Sequence, residues 1–104
     1  MARSSGKGTD SGVILEWTPR ASRELSEQLK FIALDKPSAA DRMAGLIEQT
    51  TSLLLTLPHM GKIGKLPNTR EFAVPNTPFI MVYRHLPDHL TIIHIRHGAQ
   101  KPLG

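Results

Sequence analysis

A chain of 104 residues supports one domain with a modest core and leaves little material for a deep substrate cavity. It has no cysteine, which excludes disulfides, thiolate zinc sites and cysteine nucleophiles. The formal charge of +4 is unevenly placed: residues 1–58 hold seven Lys/Arg and seven Asp/Glu, whereas residues 59–104 hold six Lys/Arg against Glu71 and Asp88, together with all five histidines. A basic C-terminal half suggests RNA, a phosphate-rich surface or an acidic protein partner.

Residues 1–12, rich in Gly, Ser and charge with no hydrophobic period, are expected to be a disordered tail, and residues 13–104 one domain. This N-terminus lacks the apolar stretch of a signal peptide, and no apolar run approaches the roughly 20 residues that span a bilayer. A cytoplasmic protein with no membrane partner is expected. Val13–Trp17 is short, apolar and β-favouring and predicts a first strand. Thr18-Pro19 then supplies an N-cap and a proline at the first helical position. Ala21, Leu25, Leu29 and Ile32 recur at helical spacing, and this helix should stop near Asp35, because Lys36 precedes Pro37.

Ser38-Ala-Ala-Asp41 has a capping-box-like pattern and is expected to open a second helix, about three residues after the first. Met43, Leu46, Ile47, Leu53, Leu54 and Leu57 form its apolar stripe, which ends at Pro58. The short join makes the helices antiparallel neighbours. His59–Lys65 reads as a glycine-rich basic connector. Strands are expected at about 69–74, 79–85 and 90–97, with turns at Pro75–Pro78 and Leu86–His89. The whole is an α+β layer fold, β-α-α-β-β-β, with a helical hairpin on a small, mainly antiparallel four-stranded sheet.

Period two sorts the last strand into Ile92, His94 and Arg96 on one side and Ile93, Ile95 and His97 on the other. Both sides mix apolar and polar residues, so alternation leaves open which face the helices cover. His97 ends a strand beside Arg96 and Gly98, where an unshifted imidazole suits acid–base work. Arg70 and Arg84 are candidates to stabilise phosphate charge, although an ion pair would serve Arg70 equally well. Lys62 and Lys65 flank glycines in a loop that hints at phosphate binding. His94 and His97, at odd spacing and without an acidic neighbour, do not make a metal set. No metal or cofactor is expected.

Thr69-Arg70-Glu71, Val82-Tyr83-Arg84 and the run from Ile93 to Ala99, in this order and on this layout, resemble the RelE/ParE toxin superfamily. The resemblance covers residues 13–102. It implies the toxin of a type II toxin–antitoxin pair, a plasmid-stabilisation and growth-arrest protein neutralised by a cognate antitoxin. It also implies one of two targets. RelE-like members cut mRNA on the ribosome, with His97 as acid/base and Arg70, Arg84 and Arg96 as phosphate stabilisers. ParE-like members inhibit DNA gyrase and need no such catalytic set. The chain lacks the C-terminal tyrosine of several nuclease members. Lys62, Lys65, Tyr83 and Gln100 complete the expected RNA- or target-binding residues. A non-toxic binding module on the same fold is the alternative.

Overall fold

The computed structural model describes residues 13–98. The expected tail at residues 1–12 and Gln100 lie outside the described residues. Seven elements follow in chain order: β1 (Ile14–Trp17), α1 (Pro19–Asp35), α2 (Pro37–Thr56), β2 (Lys62–Ile63), β3 (Arg70–Ala73), β4 (Phe79–Leu86) and β5 (His89–His97). The sheet has five strands, one more than expected, in the order β1-β5-β4-β3-β2. The addition comes from the connector, where Lys62 and Ile63 pair antiparallel with Glu71 and Arg70. Two residues without β-branched neighbours give no strand signal; the ladder exists because β3 offers an unpaired edge beside them. β1 is the single parallel neighbour, lying along the first half of β5.

α1 starts as expected. Thr18 caps it by accepting the Ala21 N–H on its hydroxyl at 3.0 Å, with Pro19 following. The second helix begins earlier than the capping-box pattern suggests. Pro37 occupies its first turn, Ser38 lies inside it, and its N-cap, Lys36, makes no side-chain capping bond. Lys36 also terminates α1, donating its N–H to Ile32 O at 2.8 Å. One residue therefore joins the helices instead of three, because an extended Lys36 before proline both ends one helix and positions the next.

The helices cover the face that carries Phe79, Met81, Tyr83, Leu90, Ile92 and Ile95, and Ala21, Ile47 and Leu54 meet it from above. On α2 the expected stripe is rotated. Thr50 and Thr51 are buried, whereas Leu53 and Leu57 are 38% and 49% exposed. The threonines enter the core because each hydroxyl is satisfied locally, by Leu46 O at 2.9 Å and Glu48 O at 2.8 Å.

Along β5 the alternation changes phase. Val82 pairs with His94 but Tyr83 pairs with Ile92, so β5 carries one extra residue at Ile93. Leu90 and Ile92 face the helices before this bulge, and Ile95 takes that face after it. The strict period-two grouping of Ile92 with His94 and Arg96 is thereby corrected, because one inserted residue reverses the parity of all that follow.

β3 is framed by two copies of one turn, Leu66-Pro67-Asn68-Thr69 and Val74-Pro75-Asn76-Thr77. In each, asparagine adopts the left-handed conformation, φ 59° at Asn68 and 63° at Asn76. The following threonine hydroxyl donates to the carbonyl three residues back, at 2.7 Å to Leu66 O and 3.0 Å to Val74 O.

The connector is held to the sheet from inside. The Tyr83 hydroxyl, fully buried, donates to Pro58 O at 2.6 Å and accepts the Gly61 N–H at 3.0 Å. A Cβ on Gly61 would lie 2.7 Å from that hydroxyl and 2.9 Å from Glu71 O, so the close approach requires glycine. Replacing Tyr83 with Phe removes the hydroxyl and strands one carbonyl and one N–H. We expect a loss of about 1–3 kcal/mol, read as a lower urea midpoint at unchanged slope; an unchanged midpoint would show that water replaces the hydroxyl freely.

Candidate target-binding face and the family of the chain

Strand partners share a face, so the register assigns the basic residues to sides of the sheet. Arg84 pairs with Thr91, Arg96 with Ile80, and Lys62 with Glu71, which itself pairs with Val82. These lie on the face away from the helices. Arg70 pairs with Tyr83 and His97 with Phe79, on the helix side. The expected catalytic residues are thus divided between two faces. They are also spread lengthwise: His97 lies opposite Phe79, five residues from Arg84 along β4, or about 16 Å.

Each of these groups has its own surroundings. Arg70 donates through Nη1 to Gly61 O at 2.8 Å and, at 3.5 Å, to His59 O, so its guanidinium holds the same stretch of connector as its cross-strand neighbour Tyr83. The ion pair that would have served it equally well is replaced by backbone carbonyls. Arg96 donates through Nη2 to Glu71 Oε1 at 2.7 Å, with the two side chains 32% and 17% exposed. This bridge spans β4 on the face without helices, where Val82 is nonetheless only 3% exposed. The His97 ring stands edge-on to Phe79 with centroids 6.1 Å apart. His85, at the far end of β4, meets the His59 ring edge-on at 5.2 Å.

Tyr83 is fully buried, so it presents no atom to a partner; it positions the connector that carries Lys62 and Lys65. Burial pushes its hydroxyl pKa up, with the Gly61 N–H and the Arg70 charge pulling the other way less strongly. Lys62 and Lys65 are exposed, and Arg84 is half-buried on the open face. Among the described residues no cluster of three His, Cys, Asp or Glu is arranged to hold a metal. No helix of the described residues is long and apolar enough to cross a membrane.

One group escaped the sequence reading. Glu24, on the polar side of α1, reaches the edge of β5 beyond the end of β1. Its Oε1 accepts the Ile95 N–H at 2.9 Å and lies 2.8 Å from His94 Nδ1, while Oε2 accepts from Arg20 Nε at 3.0 Å. Nothing in the period of α1 separates Glu24 from Glu27, because its partners on β5, His94 and Ile95, lie about 70 residues later in the chain.

Residues 15–102 match the family described as the ParE toxin of type II toxin–antitoxin systems, parDE. The chain belongs to this family. It is similar to the putative toxin Y4kP of Sinorhizobium fredii, at 33% identity over 87 residues that cover 84% of this chain and 90% of that protein. It is equally similar to toxin RelE3 of Caulobacter vibrioides, 33% identical over 89 residues, covering 84% of this chain and 96% of the relative. Among solved structures, a chain of the chromosomal ParDE system from P. aeruginosa superimposes with a TM-score of 0.73 at 19% identity, over 82% of this chain and 95% of that one. That likeness is one of fold. The expected RelE/ParE superfamily and its α+β layout are thereby borne out.

In this ParE-family toxin Glu24 sets a pH dependence. Burial, the largest single influence, raises its carboxyl pKa, but the bonds from Ile95 N–H, His94 and Arg20 and the His94 charge together outweigh it, and the pKa is lowered. A carboxyl that is more acidic when folded stabilises above its unfolded pKa, and this contribution disappears as pH falls through the folded value. Glu24→Gln should therefore cost about 1–2 kcal/mol near pH 7 and almost nothing well below the ordinary carboxylate range. Urea titrations of both proteins at neutral and acid pH measure it; a difference constant across pH would assign the effect to shape rather than charge.

Proposed function

We propose that the chain is a ParE-like toxin that acts in the cytoplasm by inhibiting DNA gyrase and is silenced by a cognate antitoxin. The division of the basic residues between two faces carries this reading. Ribonucleolytic attack by a ribose 2′-hydroxyl needs an acid/base group within about 3 Å of the moving proton and cations on the same phosphate. Here His97 packs at the Phe79 end of the helix side, Arg70 closes on carbonyl oxygens, and Arg96 is paired with Glu71. Arg84 stands on the other face from His97. Inhibition of a protein target needs only a complementary surface, and the exposed cations and aliphatic groups of the connector and sheet edge suit that task.

An antitoxin would also account for the exposed apolar side chains of the helical hairpin. Phe31 and Leu34, 74% and 85% exposed, sit one turn apart on α1. Burying such a pair against a partner is favourable by roughly 25 cal/mol per Å² of apolar surface.

Expression of the chain alone in a bacterium, followed by short pulses of labelled thymidine and methionine, tests the reading. DNA synthesis should fall before translation, and purified chain should inhibit supercoiling by purified gyrase. His97→Ala should leave both effects within about twofold, since no step is assigned to the imidazole. Early collapse of translation with cleaved transcripts, abolished by His97→Ala, would replace gyrase with ribosome-dependent mRNA cleavage. Normal growth with folded protein present would leave a non-toxic binding module.

A further inference from the structure

The residues between α2 and β3 form an unusual surface. From His59 to Leu66 the chain has two lysines and no carboxylate. Neither lysine makes an ion pair among the described residues. Between them and beside them, Ile63 is 76% exposed, Leu66 52% and Met60 42%, with Leu57 at the end of α2 49% exposed. Single exposed aliphatic residues are ordinary, but four of them within ten positions at one sheet edge form a patch.

This patch is rigid, which separates it from a loose loop. The Tyr83 hydroxyl holds Pro58 O and Gly61 N–H, and Arg70 beside it holds Gly61 O. The β2–β3 ladder fixes Lys62 and Ile63, Gly64 N–H donates to Thr69 O at 2.8 Å, and the His85 ring stands against His59. A surface ordered in advance loses little entropy on binding. Alternation points Lys62 and Ile63 to opposite sides of an edge strand, so a partner has to receive the edge, with an apolar surface on one side and negative charge on the other.

We infer that the connector 59–66 is the edge by which this toxin docks on its target, and that the target surface is protein, with acidic side chains bordering an apolar recess. The inference rests on the reading of the target as a protein and names the part of the chain that recognises it. Phosphates alone would reward the lysines but not Met60, Ile63 and Leu66, which is why the chemistry favours protein over nucleic acid.

The test uses Ile63→Asp and Lys62→Glu, singly and together. Both side chains are exposed, so melting temperature should stay within a few degrees of the parent. Gyrase supercoiling, growth arrest and antitoxin co-purification are then measured for each protein. The double variant should lose at least about tenfold in inhibitory potency, with Ile63→Asp alone accounting for a substantial part, while antitoxin binding is kept. Undiminished growth arrest by a folded double variant overturns the inference whatever the target is. Loss of antitoxin binding in parallel would make the antitoxin the occupant and also overturn it. Loss through Lys62→Glu with Ile63→Asp silent would assign the edge to phosphate. If the parent arrests growth without affecting gyrase, the gyrase reading fails separately; the docking edge then survives only if Ile63→Asp still abolishes arrest.

Discussion

β5 is nine residues long and β1 only four, so half of the outer edge of β5 has to find hydrogen-bond partners that are not a strand. α1 provides them. Thr18 donates its N–H to Ile92 O at 3.0 Å and its hydroxyl to Ile93 O at 3.2 Å, while the same hydroxyl caps the helix. Six residues further along, Glu24 accepts the Ile95 N–H. The helix is therefore fastened along the strand by polar contacts at its edge as well as by apolar packing at its face. Ala21, fully buried between them, lets the two elements come close. The bulge at Ile93 falls where the edge changes from strand to side-chain partners, and it turns Ile95 back to the core.

A second constraint works at the opposite edge. β2 is too short to hold itself in the sheet, and its position depends on a buried phenol and a guanidinium aimed at main-chain atoms. Tyr83 and Arg70 are neighbours across the β3–β4 ladder, so the two groups close on the same stretch of connector. In the fold both side chains fasten the connector to the sheet. The lysines and aliphatic side chains of the connector are held in place by them.

The basic excess is correspondingly redistributed. Arg70 is directed inward, Arg96 is neutralised across β4 by Glu71, and Arg84, Lys62 and Lys65 supply the outward positive charge. A net charge of +4 thus overstates how many cations one ligand meets at once. The field still favours an acidic partner, since long-range attraction depends on the sum, but close recognition depends on those that remain exposed and unpaired.

By itself the sequence determined the order of the main elements, the start of α1 at Thr18-Pro19, the turns at both ends of β4 and the superfamily. Each of these is written in neighbouring residues: a cap before a proline, an asparagine after one, an apolar period, a short motif. Tertiary structure alone decided which face the helices cover, that Lys62 and Ile63 form a strand, and that Thr50 and Thr51 are core. It also decided that Glu24 stands in for a missing strand and that Arg70, Arg84, Arg96 and His97 do not converge. Those outcomes depend on one inserted residue in β5 and on partners tens of positions away. Parity and local composition carry no record of such distant pairings.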